Sequence, residues 1–98
     1  MANARRGFLR RAAGLDAPSA AVAGVVVRAL PRHFAEVSAA ISAMPNVEIP
    51  WQSADAGKIA VVLEADGDEA VLRQIESISA LRGVVAADLS YAGNGDFL

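Results

Sequence analysis

The run Lys58-Ile59-Ala60-Val61-Val62-Leu63-Glu64-Ala65 constrains this chain more than any other stretch. It is apolar and rich in β-branched side chains, and Ala56-Gly57 and Asp66-Gly67 bound it as turn signals. A run this short does not make an independent helix and reads as a strand in the middle of a sheet. Side chains alternate along a strand, so Ile59, Val61 and Leu63 share one face and Lys58, Ala60, Val62 and Glu64 the other. The first face calls for a layer of helices. The second is half apolar, carries a carboxylate, and leaves no obvious segment to cover it.

The flanking sequence supplies the layer. Val22 to Leu30 reads as a first strand closed by Pro31, with Val25, Val27 and Ala29 toward the helices and Gly24, Val26 and Arg28 on the other side. From Pro31 the period changes, and Phe34, Val37 and Ile41 recur at helical spacing. Pro31 suits a first helical turn, where its missing N–H costs nothing, and Met44-Pro45-Asn46 ends the helix. Val47 to Gln52 reads as a second strand that Pro50 assigns to an edge, with Trp51 facing the core. The turn Ser53 to Gly57 joins it to the Lys58 strand as an antiparallel hairpin.

Asp66-Gly67-Asp68 then opens a second helix whose first turn favours Asp68 and Glu69. Its stripe is Val71, Ile75 and Ile78, flanked by Leu72 and Leu81, and Arg82-Gly83 closes it. Val84 to Tyr91 is the last strand, with Val85, Ala87, Leu89 and Tyr91 inward and Val84, Ala86, Asp88 and Ser90 outward. The order β-α-β-β-α-β predicts an α+β fold, a ferredoxin-like sandwich of a four-stranded antiparallel sheet with two helices on one face. Its central strands are Val22–Leu30 and Lys58–Ala65.

Ninety-eight residues make one domain with a small core. Its expected parts are a flexible basic arm over 1–20, the folded domain over 21–92 and a tail over 93–98. The absence of cysteine excludes disulfides and thiolate chemistry, and a single histidine, His33, excludes a His-rich metal site or a Ser-His-Asp triad. Residues 1–15 hold Arg5, Arg6, Arg10 and Arg11 and no acid, whereas the remainder holds five basic and eleven acidic side chains. An acidic body does not suit nucleic acid; it suits a cationic partner. Within the arm, Arg5-Arg6-Gly7-Phe8-Leu9-Arg10 is similar to a twin-arginine export motif, although Asp16 and Pro18 cut short the apolar stretch a secretory signal needs. The arm is thus either a plain basic tail or a signal-like segment put to use. No stretch reaches the roughly 20 apolar residues of a membrane span.

The wording of the elements resembles the NapD family, the small cytoplasmic chaperones of the periplasmic nitrate reductase. The matching phrases begin with Val25-Val26-Val27-Arg28-Ala29 and Ile41-Ser42-Ala43-Met44-Pro45-Asn46-Val47-Glu48-Ile49. Gly57 to Ala65, Gln74-Ile75-Glu76-Ser77-Ile78 and Gly83-Val84-Val85-Ala86-Ala87 complete the set, which spans about two-thirds of the chain. The resemblance implies a cytoplasmic protein that binds the twin-arginine signal peptide of the nitrate reductase catalytic subunit. It also implies that export waits until the molybdenum cofactor is in place. The arm over 1–20, with its own twin-arginine-like run, departs from a minimal member of that family.

The residues expected to bind the signal peptide are Val26, Arg28, Glu48, Ala60, Val62, Glu64, Ala86 and Asp88. Glu48, Glu64 and Asp88 project to the uncovered face, either as ordinary solvated charges or as partners for arginines through charge-assisted hydrogen bonds. Val26, Ala60, Val62 and Ala86 form a shallow apolar strip, either plain sheet packing or a floor for a peptide. Arg5, Arg6, Phe8 and Leu9 are candidates for binding the same face from within the chain. His33 reads as a surface histidine, and Asp66, Asp68 and Glu69 as helix-start charges, since their spacing matches no calcium loop. No phosphate loop, nucleophile elbow or carboxylate pair is present, so neither an enzyme nor a cofactor is expected. The rival of another kind is an ACT-like domain holding a small metabolite at a dimer interface. An RNA-binding sheet lacks the aromatic side chains it needs on its central strands.

Overall fold

The computed structural model describes residues 20–93, with side chains described from 21 to 92. The strands are β1 (Ala20–Ala29), β2 (Val47–Ser53), β3 (Lys58–Asp66) and β4 (Val84–Gly93). The helices are α1 (Phe34–Ser42), led in by a 3-10 turn over Pro31–His33, and α2 (Asp68–Ser79). The sheet runs β2-β3-β1-β4 with every pair antiparallel, so β1 and β3 are central. This is the α+β ferredoxin-like architecture that the element order predicts. Residues 1–19 and 94–98, and with them the arm motif Arg5, Arg6, Phe8 and Leu9, lie outside the described residues.

The core lies where the alternation puts it. Val25 pairs with Val61 and Val27 with Ile59, and this face is sealed by Phe34, Val37 and Ile41 of α1 and Val71 and Ile78 of α2. Ile41, Ile59, Leu63 and Ile78 are fully buried, each contributing about 1.5–3 kcal/mol relative to exposure. Both described helices therefore cover one face of the sheet.

The connections lock the ends of β1. The Ala29 N–H donates to the Gly57 carbonyl and the Leu30 N–H to the Gly83 carbonyl, both at 2.9 Å, fastening the β2–β3 turn and the start of β4 to the end of β1. Gly83 sits at φ 93°, and a Cβ there would lie 2.2 Å from the Cβ of His33. His33 is consequently half-buried against Gly83, not the free surface residue expected, and its Nδ1 lies 3.0 Å from Glu36.

Three irregularities change which way the edge-strand side chains point. In β2, Glu48 pairs with Val62 and Trp51 with Ala60, so Ile49 and Pro50 together oppose the single residue Val61. Pro50 has no N–H to donate, and the bulge accommodates it. Every later residue of β2 changes face, and Trp51 turns to the uncovered side instead of the core. In β4 an extra residue, Ser90, falls between Leu89, paired with Val25, and Tyr91, paired with Gly24. Tyr91 likewise turns outward, and its ring lies on Gly24, where a Cβ would be 2.2 Å from Cε2. A second slip near Val85 brings Val84 onto the core and leaves Val85 exposed, the reverse of the simple alternation. Ala86 to Leu89 keep the expected faces, but Leu89, on the edge strand, is 50% exposed and lies outside the core.

Candidate functional site

The face away from the helices is built in rows, because directly paired residues on antiparallel strands share a face. One row runs Glu48, Val62, Gly24, Tyr91 across β2, β3, β1 and β4. The next runs Trp51, Ala60, Val26, Asp88, and the third Ser53, Lys58, Arg28, Ala86. Beyond the first row, Glu64 pairs with Val22. All eight residues singled out from sequence therefore lie on this one surface. Glycine 24, Lys58, Trp51 and Tyr91 join them. The signal for the two aromatics was Pro50 inside β2 and a strand-interior glycine in β1, both marks of bulges and close approaches.

The shape follows from side-chain size. The central strands contribute small residues (Gly24, Val26, Ala60 and Val62), so the floor is low. Trp51 on one edge strand is 54% exposed and stands as a rim, whereas the ring of Tyr91 on the other, 40% exposed, leans in over Gly24 and makes the floor there. Three strand spacings give a trough about 14 Å wide, against about 10–12 Å for a helix with its side chains. That width has room for one peptide segment. The edges are poorer templates, since β2 is interrupted at Pro50 and β4 slips at both ends.

Charge is graded along the trough. Glu64 and Glu48 mark the end where β1 begins, and Arg28 and Lys58 face each other where β1 ends. The two ends are about 20 Å apart, six residues along β3. Like charges directly opposed across a strand pair are unfavourable, so Arg28 and Lys58 leave a cationic end suited to a carboxylate or to peptide carbonyls. The acidic end suits guanidinium groups, whose fork matches a carboxylate. Burial also varies: Glu64 is only 8% exposed, Glu48 is half-buried and Asp88 is exposed. The acidic end is thus less open than the alternation alone suggests, and Val22 beside Glu64 is 0% exposed. Among the described residues no three His, Cys, Asp or Glu side chains come together as metal ligands, and no helix is long and apolar enough to cross a membrane.

The chain is similar to known proteins in sequence and in fold. The family model described as NapD protein matches residues 20–94. Chaperone NapD of Escherichia coli K12 is 33% identical over 70 residues, which cover 71% of this chain and 80% of the relative. Chaperone NapD of Shigella flexneri matches to the same extent. Among solved structures, the solution structure of the E. coli Tat proofreading chaperone protein NapD superposes with a TM-score of 0.67 at 33% identity, covering 71% of this chain and 74% of that one. With the family model matching residues 20–94 and the fold shared with a 33% identical relative, the chain belongs to the NapD family.

Proposed function

We propose that this chain is a cytoplasmic chaperone that binds the twin-arginine signal peptide of a periplasmic nitrate reductase catalytic subunit and withholds it from export until the molybdenum cofactor is loaded. Family membership supports this reading, because the E. coli relative is described as a Tat proofreading chaperone. The observation that carries it is the graded trough: carboxylates of Glu48 and Glu64 at one end, then a floor of small residues and the Tyr91 ring beside Trp51. A signal peptide has the complementary order, a pair of arginines followed by apolar side chains. Placing the arginines at Glu48 and Glu64 lays the apolar part over Val62, Ala60 and Val26, beside the Tyr91 ring that rests on Gly24. Arg28 and Lys58 then meet the far end of the segment.

The action is binding alone. An occupied trough hides the arginine pair and the apolar stretch that an export machinery must read, and release restores them. Neither an enzyme activity nor a cofactor of the chaperone enters the scheme. The test is calorimetric titration with the synthetic nitrate reductase signal peptide and with the same peptide carrying Gln in place of both arginines. Saturable one-to-one binding that the double replacement weakens at least tenfold supports the proposal. Equal affinity for the two peptides, or no binding of either, overturns it.

A further inference from the structure

The acidic end of the trough is buried on a face that neither described helix covers. Val22 is 0% and Glu64 8% exposed, yet α1 and α2 both pack on the opposite face through Val25, Val27, Ile59 and Val61. We propose that the segment preceding β1, residues 1–19, occupies this end of the trough in its own molecule, with Arg5 and Arg6 at Glu64 and Glu48. The proposal rests on the peptide-binding reading of the face, and names a second, intramolecular occupant that competes with the signal peptide.

Three observations converge on it. The point of entry is local: Ala20 pairs with Asp66 and Val22 with Glu64, so the segment leaves the sheet one row beyond Glu64. Its chemistry is complementary: residues 1–15 carry Arg5, Arg6, Arg10 and Arg11 with no acid, and Phe8 and Leu9 follow the arginine pair as apolar side chains do in the ligand the trough suits. Its length suffices, since residues 12–19 reach up to about 26–29 Å when extended, more than the roughly 20 Å of the trough. A ligand tethered this closely acts at an effective concentration on the order of 1 mM. Against an intrinsic dissociation constant of about 0.1–1 mM, that occupancy weakens an incoming peptide by roughly 2- to 10-fold. The segment thereby sets a threshold: only a peptide that binds better than the chain's own arginine run gains the site.

The test compares the full chain with its R5E/R6E variant, first without any added peptide. Expected are amide shift differences at Val22, Glu48, Val62 and Glu64, unchanged shifts in α1 and α2, and return of the wild-type shifts when a synthetic peptide of residues 1–19 is added to the variant. Coincident spectra of the two chains overturn the proposal, as do shift differences that grow with protein concentration, which mean occupancy by a second copy. Nitrate reductase signal peptide is then added to both. Roughly 2- to 10-fold tighter binding by the variant supports self-occupancy, and equal affinity overturns it. If the first comparison succeeds while the signal peptide binds neither chain, self-occupancy stands and the proposed partner falls.

Discussion

Replacing Glu64 with Gln separates a working carboxylate from a bystander. Gln keeps the shape and removes the charge, so the change bears on charge-assisted hydrogen bonds and leaves packing nearly untouched. Exposed ion pairs are worth under about 1 kcal/mol, whereas hydrogen bonds to charged groups away from water contribute about 1.5–3 kcal/mol. Glu64 is 8% exposed in β3, which places it in the second regime. The expected loss of signal-peptide affinity is therefore about 1–3 kcal/mol, or roughly 5- to 150-fold. Half-buried Glu48→Gln costs less, and exposed Asp88→Asn under about 1 kcal/mol. Calorimetry at low and high salt reads both the affinity and its salt slope, and the slope flattens for Glu64→Gln. A thermal melt confirms that the variant is folded. Unchanged affinity at low salt, or a larger loss from Asp88 than from Glu64, would mean that Glu64 makes no charge-assisted contact with the peptide.

Further outcomes follow from the register. Trp51 is the single tryptophan and stands at the rim, so peptide binding should blue-shift its emission and protect it from acrylamide, and a flat fluorescence response would remove β2 from the footprint. Ile59→Ala, in the core, should cost about 2–5 kcal/mol in urea unfolding, while Val62→Ala, across the strand on the trough, costs clearly less; equal costs would mean that the trough is packed like a core. Gly83→Ala meets both φ 93° and the Cβ of His33, whereas Gly67→Ala meets φ 94° and open space. The first should be the more destabilising by about 1–3 kcal/mol, and the reverse order would contradict the packing of His33 on Gly83.

The sequence was most readable where one physical rule acted alone. Ile59, Val61 and Leu63 follow a period of two, Phe34, Val37 and Ile41 a helical one, and both sets lie in the core as those rules require. Family phrases spread over the chain added the identity that the fold could not give. The errors sit on the edge strands, where a one-residue slip flips every later side chain. Pro50 marks such a slip in β2, but its presence does not say whether the chain bulges or merely ends its pairing there. Ser90 itself carries no mark; beyond it the Tyr91 ring rests on Gly24, a contact between residues far apart in sequence. The burial of Glu64 was invisible for another reason, since alternation assigns a face and not what lies over it.

Mapping amide shifts while the nitrate reductase signal peptide is titrated shows whether the sheet face or the helix layer is the working surface. The largest changes are expected at Glu48, Trp51, Ala60, Val62, Glu64 and Tyr91, the rows of the trough. Changes confined to residues 34–43 and 69–81, on the helices, would contradict that expectation.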